Sequence, residues 1–270
     1  MPTEPIEHRL DMASISASLE RNTQRLTSLL RDITTIDRRA IGEWTIHDVA
    51  IHVMDGIENY ARQLQGRDGS QLDFTRNMAR WNIERVKGLP RQPVPDLADR
   101  IDSATEEFIQ VARSMDPIDE VPWWYAGFRL PAVVSVSLRL VEHIIHGYDI
   151  ATAAGHSWPI DDQDALTMSY ALAYISPHFV DAEKLNFDGI IEMRLRGGAP
   201  YFFVIEDRGL RVETHTPAPT GFHISAHPVA WVLVSTGRVS RIRAVLTGAV
   251  IGWGTRPLLP LKLQHASFQG

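Results

Sequence analysis

Apolar residues recur every three or four positions through roughly the first 155 residues, and this periodicity restricts that part of the chain to amphipathic helices. The first helix is predicted over Asp11–Thr34. A second begins at Thr45, whose side chain can cap it, with Asp48 three positions later as in a capping box. Pro131 suits the first turn of another helix that runs to about Ala154. Long helices with short to medium connections predict an antiparallel bundle.

Glycine and proline mark the connections of this half. Gly66 and the Gly69–Ser70 turn are expected to end the second helix. A less regular helical stretch follows over Asp73–Lys87, and the proline-rich segment 90–95 separates it from a helix over Asp96–Met115.

The pattern changes after Trp158–Pro159. One further helix, from Asp161 to about Ile175, leads into short segments rich in β-branched and aromatic residues with glycine turns between them, which predict strands. The sequence therefore predicts an α+β protein of two domains, with a helical bundle over residues 1–157 and a mixed domain over 158–270. The elements predicted in the second domain are a meander of Ile190–Leu195, Tyr201–Glu206 and Leu210–Thr214, a strand over Phe222–Ser225, helices over His227–Ser235 and Arg238–Leu246, a short apolar piece over Ala249–Trp253, and a terminal helix over Leu258–His265.

Composition limits the chemistry that is available. The net charge of −6 gives no general attraction to nucleic acid or to an anionic membrane, so neither is an expected partner. The chain has no cysteine, so a metal would be held by His and carboxylate, and thiol chemistry would need an external thiol. The first ten residues lack the apolar core of a signal peptide, and no apolar run approaches the ~18 residues of a membrane span, so a soluble cytoplasmic protein is expected.

Three side chains form a candidate metal site. Glu142 and His146 are four residues apart on one predicted helix, and His52 lies on another. Residues four apart share a helix face, and helical projection places all three at the border of an apolar stripe. A third ligand from a neighbouring helix would leave one tetrahedral position open. From spacing alone, however, a Glu and a His four apart more often form an ordinary pair on a helix surface.

The same projection separates the neighbouring polar residues. His143 points away from the core and is expected to be solvated. His47 is interpreted as a surface or loop-packing residue. Asp149 either supports a metal ligand from behind or is an exposed helix charge, and the sequence does not decide between them.

Two segments carry a family resemblance. Trp44–His52, WTIHDVAIH, resembles the entry to the metal helix of DinB-like proteins, in particular of the mycothiol-dependent maleylpyruvate isomerase-like family. Glu142–Ile150, EHIIHGYDI, is similar to the second motif of that family. The resemblance implies a DinB-like four-helix bundle, with His52, Glu142 and His146 as ligands of a divalent metal, usually zinc.

The same resemblance implies a function. The expected activity is that of a thiol-dependent metalloenzyme, in which metal-bound mycothiol or a similar small thiol adds as a thiolate to an electrophilic small molecule. In the isomerase reaction, the thiolate adds to the double bond of a cis keto-diacid, rotation follows, and its departure leaves the trans isomer. A mycothiol S-transferase that keeps the adduct shares the same site. A non-catalytic protein that binds an apolar ligand is the third possibility. The oligomeric state is expected to be a monomer or a homodimer.

The part from about Ile190 onward is similar to the sterol-carrier-protein-like domain that some of these proteins append to the bundle, and the run His223–Phe268 carries that resemblance. Family members place a basic residue of this domain near the metal. The candidates here are Arg238, Arg241 and Arg243, and each could instead be a solvated helix charge.

An aromatic loop precedes the helix that carries Glu142. Trp123, Trp124 and Tyr125 could form a wall of the site and bind the carbon skeleton of the thiol or substrate. The alternative is that they pack the junction between the two domains.

Overall fold

The computed structural model describes residues 5–67, 78–123, 127–216 and 218–267, and it divides the chain into two compact units. The helical unit comprises Asp11–Pro159. The mixed unit comprises the chain from Ile160 onward together with the residues up to Leu10. The domain boundary placed after residue 157 stays a prediction.

Four long helices dominate the described part of the helical unit, and two short hairpins, which the sequence pattern does not predict, lie between them. The helices are α1 (Met12–Asp32), α2 (Ile46–Leu64), α3 (Met78–Gly88), α4 (Val94–Ala112) and α5 (Ala132–Ala154); the hairpins are β1 (Arg39–Ile41) with β2 (Trp44–Thr45), and β3 (Glu120–Pro122) with β4 (Arg129–Pro131).

The four long helices form a closed ring of contacts, in which α1 packs on α4 and α5, and α2 packs on the same two helices. Large apolar side chains between them are fully buried, among them Leu19, Ile51, Ile57, Ile101 and Phe108. The shorter α3 contacts α2. The predicted helical half is confirmed.

Local chemistry fixes the helix ends. At the start of α2, the Asp48 amide donates to the Thr45 hydroxyl (3.2 Å) and the Thr45 amide donates to the Asp48 carboxylate (2.9 Å), which is the predicted capping box. Asp11 caps α1 through the amide of Ser14. Helix α5 ends at Gly155, whose φ of +81° is the left-handed conformation that glycine adopts at little cost. The predicted end of α2 at Gly69–Ser70 and the start of a helix at Asp73 lie outside the described residues.

The described residues of the mixed unit form one five-stranded sheet, in the order β7 (Gly209–Glu213), β6 (Tyr201–Glu206), β5 (Gly189–Leu195), β8 (Phe222–Ala226) and β9 (Val250–Trp253). The pairs are antiparallel except for β5 with β8, which run parallel. The predicted meander is therefore confirmed as β5, β6 and β7, and the predicted apolar piece forms a fifth strand. The elements are α6 (Asp162–Ile175), β5 (Gly189–Leu195), β6 (Tyr201–Glu206), β7 (Gly209–Glu213), β8 (Phe222–Ala226), α7 (Pro228–Ser235), α8 (Arg241–Leu246), β9 (Val250–Trp253) and α9 (Leu259–Ala266).

One predicted helix of this unit is too long. The sequence predicts a helix that begins at Arg238, but Gly237 has a φ of +76° and Ser240 caps α8 by accepting from the amide of Arg243. Helix α8 therefore begins at Arg241, because the glycine turn after α7 occupies the preceding residues.

No helix among the described residues combines the length and the hydropathy needed to cross a bilayer.

Candidate metal centre

Helices α2 and α5 bring His52, Glu142 and His146 together. Nε2 of His52 lies 3.3 Å from Oε2 of Glu142, and Nε2 of His146 lies 3.3 Å from the same oxygen. One potential ligand atom from each residue falls within 4.8 Å of the others. The i, i+4 spacing on α5 and the side-by-side packing of α2 and α5 produce this convergence.

The separations suit a small divalent cation. Zinc binds nitrogen and carboxylate oxygen at about 2.0–2.2 Å, so neighbouring ligands of a tetrahedral ion lie about 3.3–3.5 Å apart. Both imidazole-to-carboxylate distances of 3.3 Å agree with this geometry. Three protein ligands would leave the fourth position open to another molecule.

The protonation states also suit a metal site. Burial raises the pKa of Glu142, but hydrogen bonds from His146 and His52 and the positive charge of Arg139 outweigh it, so this pKa lies well below its ordinary value. Burial lowers the pKa of His52 and outweighs its bond to Glu142. The cluster therefore offers a carboxylate and at least one neutral imidazole at neutral pH.

His146 is fixed from behind by Asp149. Nδ1 of His146 lies 3.1 Å from Oδ2 of Asp149, and only 4% of the Asp149 side chain is exposed. Burial lowers the pKa of His146. Its hydrogen bonds to Asp149 and Glu142 raise this pKa by a larger amount, so the net shift is upward. Of the two interpretations of Asp149, the exposed helix charge is wrong.

Trp44 lines the cluster, and the sequence pattern alone does not predict this role. Its ring centroid lies 4.8 Å from that of His52 and 6.4 Å from that of His146. The residue immediately precedes the capping threonine of α2, which places its indole beside the first turns of that helix. The sequence signal for this role is the position of the tryptophan, directly before a capped helix that carries a candidate ligand.

The prediction that His143 is solvated is wrong. The residue is 1% exposed, its Nδ1 lies 2.8 Å from the carbonyl oxygen of Arg139, and its Nε2 lies 3.5 Å from the Thr105 hydroxyl. Helix α5 is buried on nearly all sides, so the face opposite the apolar stripe also packs against protein. Burial lowers the pKa of His143 to about 4.

His47 packs against a loop, which is one of the two interpretations that the sequence allowed. Its Nε2 lies 2.7 Å from the carbonyl oxygen of Gln92, and a guanidinium nitrogen of Arg91 lies 2.9 Å from its Nδ1. It is therefore directed away from the cluster that His52 joins.

Of the three aromatic residues proposed to wall the site, Trp123 is described, whereas Trp124 and Tyr125 lie outside the described residues. Trp123 is 3% exposed, and its indole N–H donates to the Tyr60 hydroxyl at 2.9 Å. These contacts fix the indole inside the helical unit. Its role in binding the thiol stays a prediction.

The three candidate arginines lie in the mixed unit. Arg241 and Arg243 are exposed, as solvated helix charges would be. Arg238 is half-buried in the turn after α7, and its guanidinium donates to the carbonyl oxygen of Thr236 at 2.5 Å. A role for any of them near the metal stays a prediction.

A four-helix unit that presents two imidazoles and a carboxylate at one point has the form of a bundle-type metal-site protein. Residues 19–151 match the family model described as the mycothiol maleylpyruvate isomerase N-terminal domain, and the helical unit of this chain belongs to that family.

Two solved structures resemble nearly the whole chain. One is the crystal structure of the mycothiol-dependent maleylpyruvate isomerase, and the other is a histidine-to-alanine mutant of that enzyme. Each has 15% sequence identity and a TM-score of 0.54, over 93% of this chain and 95% of the other. At this identity the similarity concerns the fold. No curated protein matches the chain.

Proposed function

We propose that this chain is a metal-dependent enzyme, in which an external thiolate adds to an electrophilic small molecule, as in mycothiol-dependent maleylpyruvate isomerase. The observation that carries the proposal is the approach of two imidazole Nε2 atoms to one carboxylate oxygen, at 3.3 Å each. This arrangement lies within a domain of the mycothiol maleylpyruvate isomerase family.

The ligand set supports zinc. His52, Glu142 and His146 would hold the ion, because two imidazoles and a carboxylate are a common set for catalytic zinc. When bound, a divalent cation stabilises a thiolate at neutral pH. Since the chain has no cysteine, that thiol comes from outside, and mycothiol is the cosubstrate we propose.

The residues around the cluster have separable tasks. Asp149 holds the ring of His146 so that Nε2 faces the cluster. The indole of Trp44 lies beside the rings of His52 and His146 and gives the cluster an apolar surface on that side. Glu142 is a carboxylate at neutral pH, because hydrogen bonds from the imidazoles and the charge of Arg139 hold its pKa low.

For an isomerase, the reaction returns the thiol unchanged. A carbon–sulfur bond forms at one end of the cis double bond, and the electron pair moves to the conjugated carbonyl oxygen. Rotation about the resulting single bond precedes return of the electron pair, which reforms the double bond and breaks the carbon–sulfur bond. Positive charge near the carbonyl oxygen stabilises the intermediate enolate.

The ligand assignment is tested by two matched substitutions on α2. His52→Ala removes a proposed ligand, whereas His47→Ala removes an imidazole that bonds to Gln92 instead. We expect His52→Ala to lower zinc content sharply, measured by elemental analysis, with helix content retained, and His47→Ala to keep its zinc. Unchanged zinc in a folded His52→Ala protein would reject the assignment.

Measurement of thiol consumption distinguishes an isomerase from an S-transferase. With mycothiol and a panel of electrophiles, an isomerase recycles the thiol, whereas an S-transferase consumes one thiol for each electrophile. We propose the isomerase type first, since the related solved structures are of a mycothiol-dependent maleylpyruvate isomerase. Loss of thiol in proportion to product would establish the transferase.

A carrier of apolar ligands is the second candidate. The mixed unit has the strands and helices of an α+β domain, and Ile242, Leu246 and Leu258 are exposed on it. We propose a sterol-carrier-protein-like identity for this unit. Co-purified lipid together with an absence of zinc would favour the carrier over the enzyme. The cytoplasmic location and the monomeric or homodimeric state stay predictions.

A further inference from the structure

Arg139 is a buried cation beside the candidate metal centre. It lies on α5, one turn before Glu142, and is 5% exposed. Its guanidinium carbon lies 3.5 Å from the centroid of the Tyr60 ring on α2. Burial of a positive charge is unfavourable unless an anion or hydrogen-bond acceptors compensate it, so this residue requires an explanation.

The compensation within the protein is incomplete. Nε of Arg139 is enclosed and makes no hydrogen bond to a described residue. The guanidinium forms no ion pair with any carboxylate in the described ranges, and its terminal nitrogens make no hydrogen bond to a described residue. Other arginines of the same unit are paired: Arg100 binds both carboxylate oxygens of Glu58, and Arg31 contacts Asp99 and Asp102. Arg139 therefore has free donors close to the reaction centre.

Gly56 shows where the guanidinium lies. A Cβ atom at this position of α2 would be 3.3 Å from a terminal nitrogen of Arg139. Gly56 is one turn after His52, just as Arg139 is one turn before Glu142. The guanidinium thus occupies the groove between α2 and α5, about one helical turn from the cluster, where the missing side chain of Gly56 leaves room for it.

The local charge favours an anion there. Glu142 and the buried Asp149 supply two negative charges, which a divalent cation bound by the cluster would balance. Arg139 adds a further positive charge in a region with little water, where electrostatic attraction is strong. Its planar fork matches the two oxygens of a carboxylate.

We propose that Arg139 is a substrate-binding residue that holds a carboxylate of the electrophile in the groove between α2 and α5. This inference rests on the proposed function and assigns recognition of a substrate carboxylate to a residue of the helical unit. Tyr60 holds the guanidinium through its ring face, and Gly56 provides the space for it.

The test measures binding to the zinc-loaded full chain by calorimetry, without thiol. The probes are maleate, which carries carboxylates next to a cis double bond, and dimethyl maleate, which has the same skeleton without charge. The variants are Arg139→Gln, Arg139→Lys and the control Arg100→Gln, which removes an arginine that pairs with Glu58.

We expect Arg139→Gln to weaken maleate binding about 10- to 100-fold, because the substitution removes a charge-assisted hydrogen bond to the carboxylate. Binding of dimethyl maleate is expected to be unchanged. Arg139→Lys keeps a charge but loses the fork, so it is expected to bind maleate with intermediate affinity. Arg100→Gln is expected to behave as the unchanged chain.

Several outcomes would overturn the proposal. The first is maleate binding of unchanged affinity in a folded, zinc-containing Arg139→Gln protein. The second is maleate binding of unchanged affinity in Arg139→Lys. The third is that the protein without a substitution does not bind maleate. If maleate binding depends on Arg139 but no thiol-dependent turnover occurs, the proposed enzymatic function is rejected and the proposed anion-binding role of Arg139 stands. If the protein turns over a neutral electrophile and maleate binding does not depend on Arg139, the anion-binding role of Arg139 is rejected and the proposed enzymatic function stands.

Discussion

Asp149 accepts from the imidazole of His146 across a distance of 3.1 Å, and both residues are buried on α5. This contact orients the ring, because the bond at Nδ1 leaves Nε2 directed at the carboxylate of Glu142. The negative charge of the buried Asp149 carboxylate also partly neutralises the positive charge of a bound cation.

Asp149→Asn is expected to weaken zinc binding about 10- to 100-fold without unfolding the protein, because the amide keeps the shape of the carboxylate but loses its charge. Competition with a chelator measures the affinity. Asp102→Asn is the control, since Asp102 contacts Thr27 and Arg31 away from the cluster. Equal zinc affinity in Asp149→Asn and the unchanged chain would contradict a supporting role for Asp149.

The candidate site was predictable because its information is local. Glu142 and His146 are four apart on one helix, Thr45 and Asp48 define where α2 begins, and the two motifs identify the family. A projection of each helix placed the three candidate ligands at the border of a buried face. The structure brings them to one point by packing α2 against α5.

His143 and Arg139 show where the sequence was insufficient. Projection of a single helix finds its most apolar side and assigns polar residues on other sides to solvent. Helix α5 has no such solvent side at these residues, because α1, α2 and α4 all pack against it. The burial of Arg139 depends further on a glycine of another helix, and that relationship is not encoded in the spacing of α5.

The acid stability of the mixed unit is expected to depend on Glu192. Burial raises the pKa of this carboxyl, but hydrogen bonds from Arg194 and His223 outweigh it, so the pKa lies below its ordinary value of 4.5. The unfolded chain therefore takes up this proton at a higher pH than the folded chain. The stabilisation is complete above about pH 4.5 and is lost as the pH falls through the folded pKa.

Urea unfolding between about pH 3 and pH 7 measures this dependence. Glu192→Gln is expected to lower the free energy of unfolding by about 1–3 kcal/mol at neutral pH and to flatten its decline in acid, since it removes the charge that Arg194 and His223 contact. Glu206→Gln alters an exposed pair with Arg211 and serves as control. The same acid dependence in Glu192→Gln and the unchanged chain would refute this assignment.

Tyr60→Phe tests the contact that fixes Trp123. The substitution leaves the buried indole N–H without the oxygen that now lies 2.9 Å away, and a buried donor without a partner costs about 1–3 kcal/mol. The ring beneath Arg139 remains, so maleate binding is expected to persist. Chemical unfolding measures the loss, and Tyr148→Phe is the control, because no hydrogen bond from its hydroxyl to another described residue is present. Equal stability of the two variants would show that the Tyr60 hydroxyl does not stabilise the indole.

Gly147 follows His146 in the second motif, and its missing side chain has a steric reason. A Cβ atom there would overlap Cζ2 of Trp158 and lie 2.6 Å from Cε2. The indole cannot retreat freely, because the guanidinium of Arg25 covers its ring at 4.2 Å and also donates to the carbonyl oxygen of Pro159. Gly147→Ala is therefore expected to displace the helix next to a proposed ligand and to reduce the free energy of unfolding by about 1–3 kcal/mol.

Gly88→Ala is the matched control. It also replaces a helical glycine, at the end of α3, but a Cβ atom there would meet nothing within 4 Å. The higher helix propensity of alanine should make this variant equal to or more stable than the unchanged chain, by up to about 1 kcal/mol. Thermal unfolding compares the two, and the zinc affinity of each reports whether the strain reaches His146. If Gly147→Ala gains stability as Gly88→Ala does, the contact with Trp158 does not constrain α5.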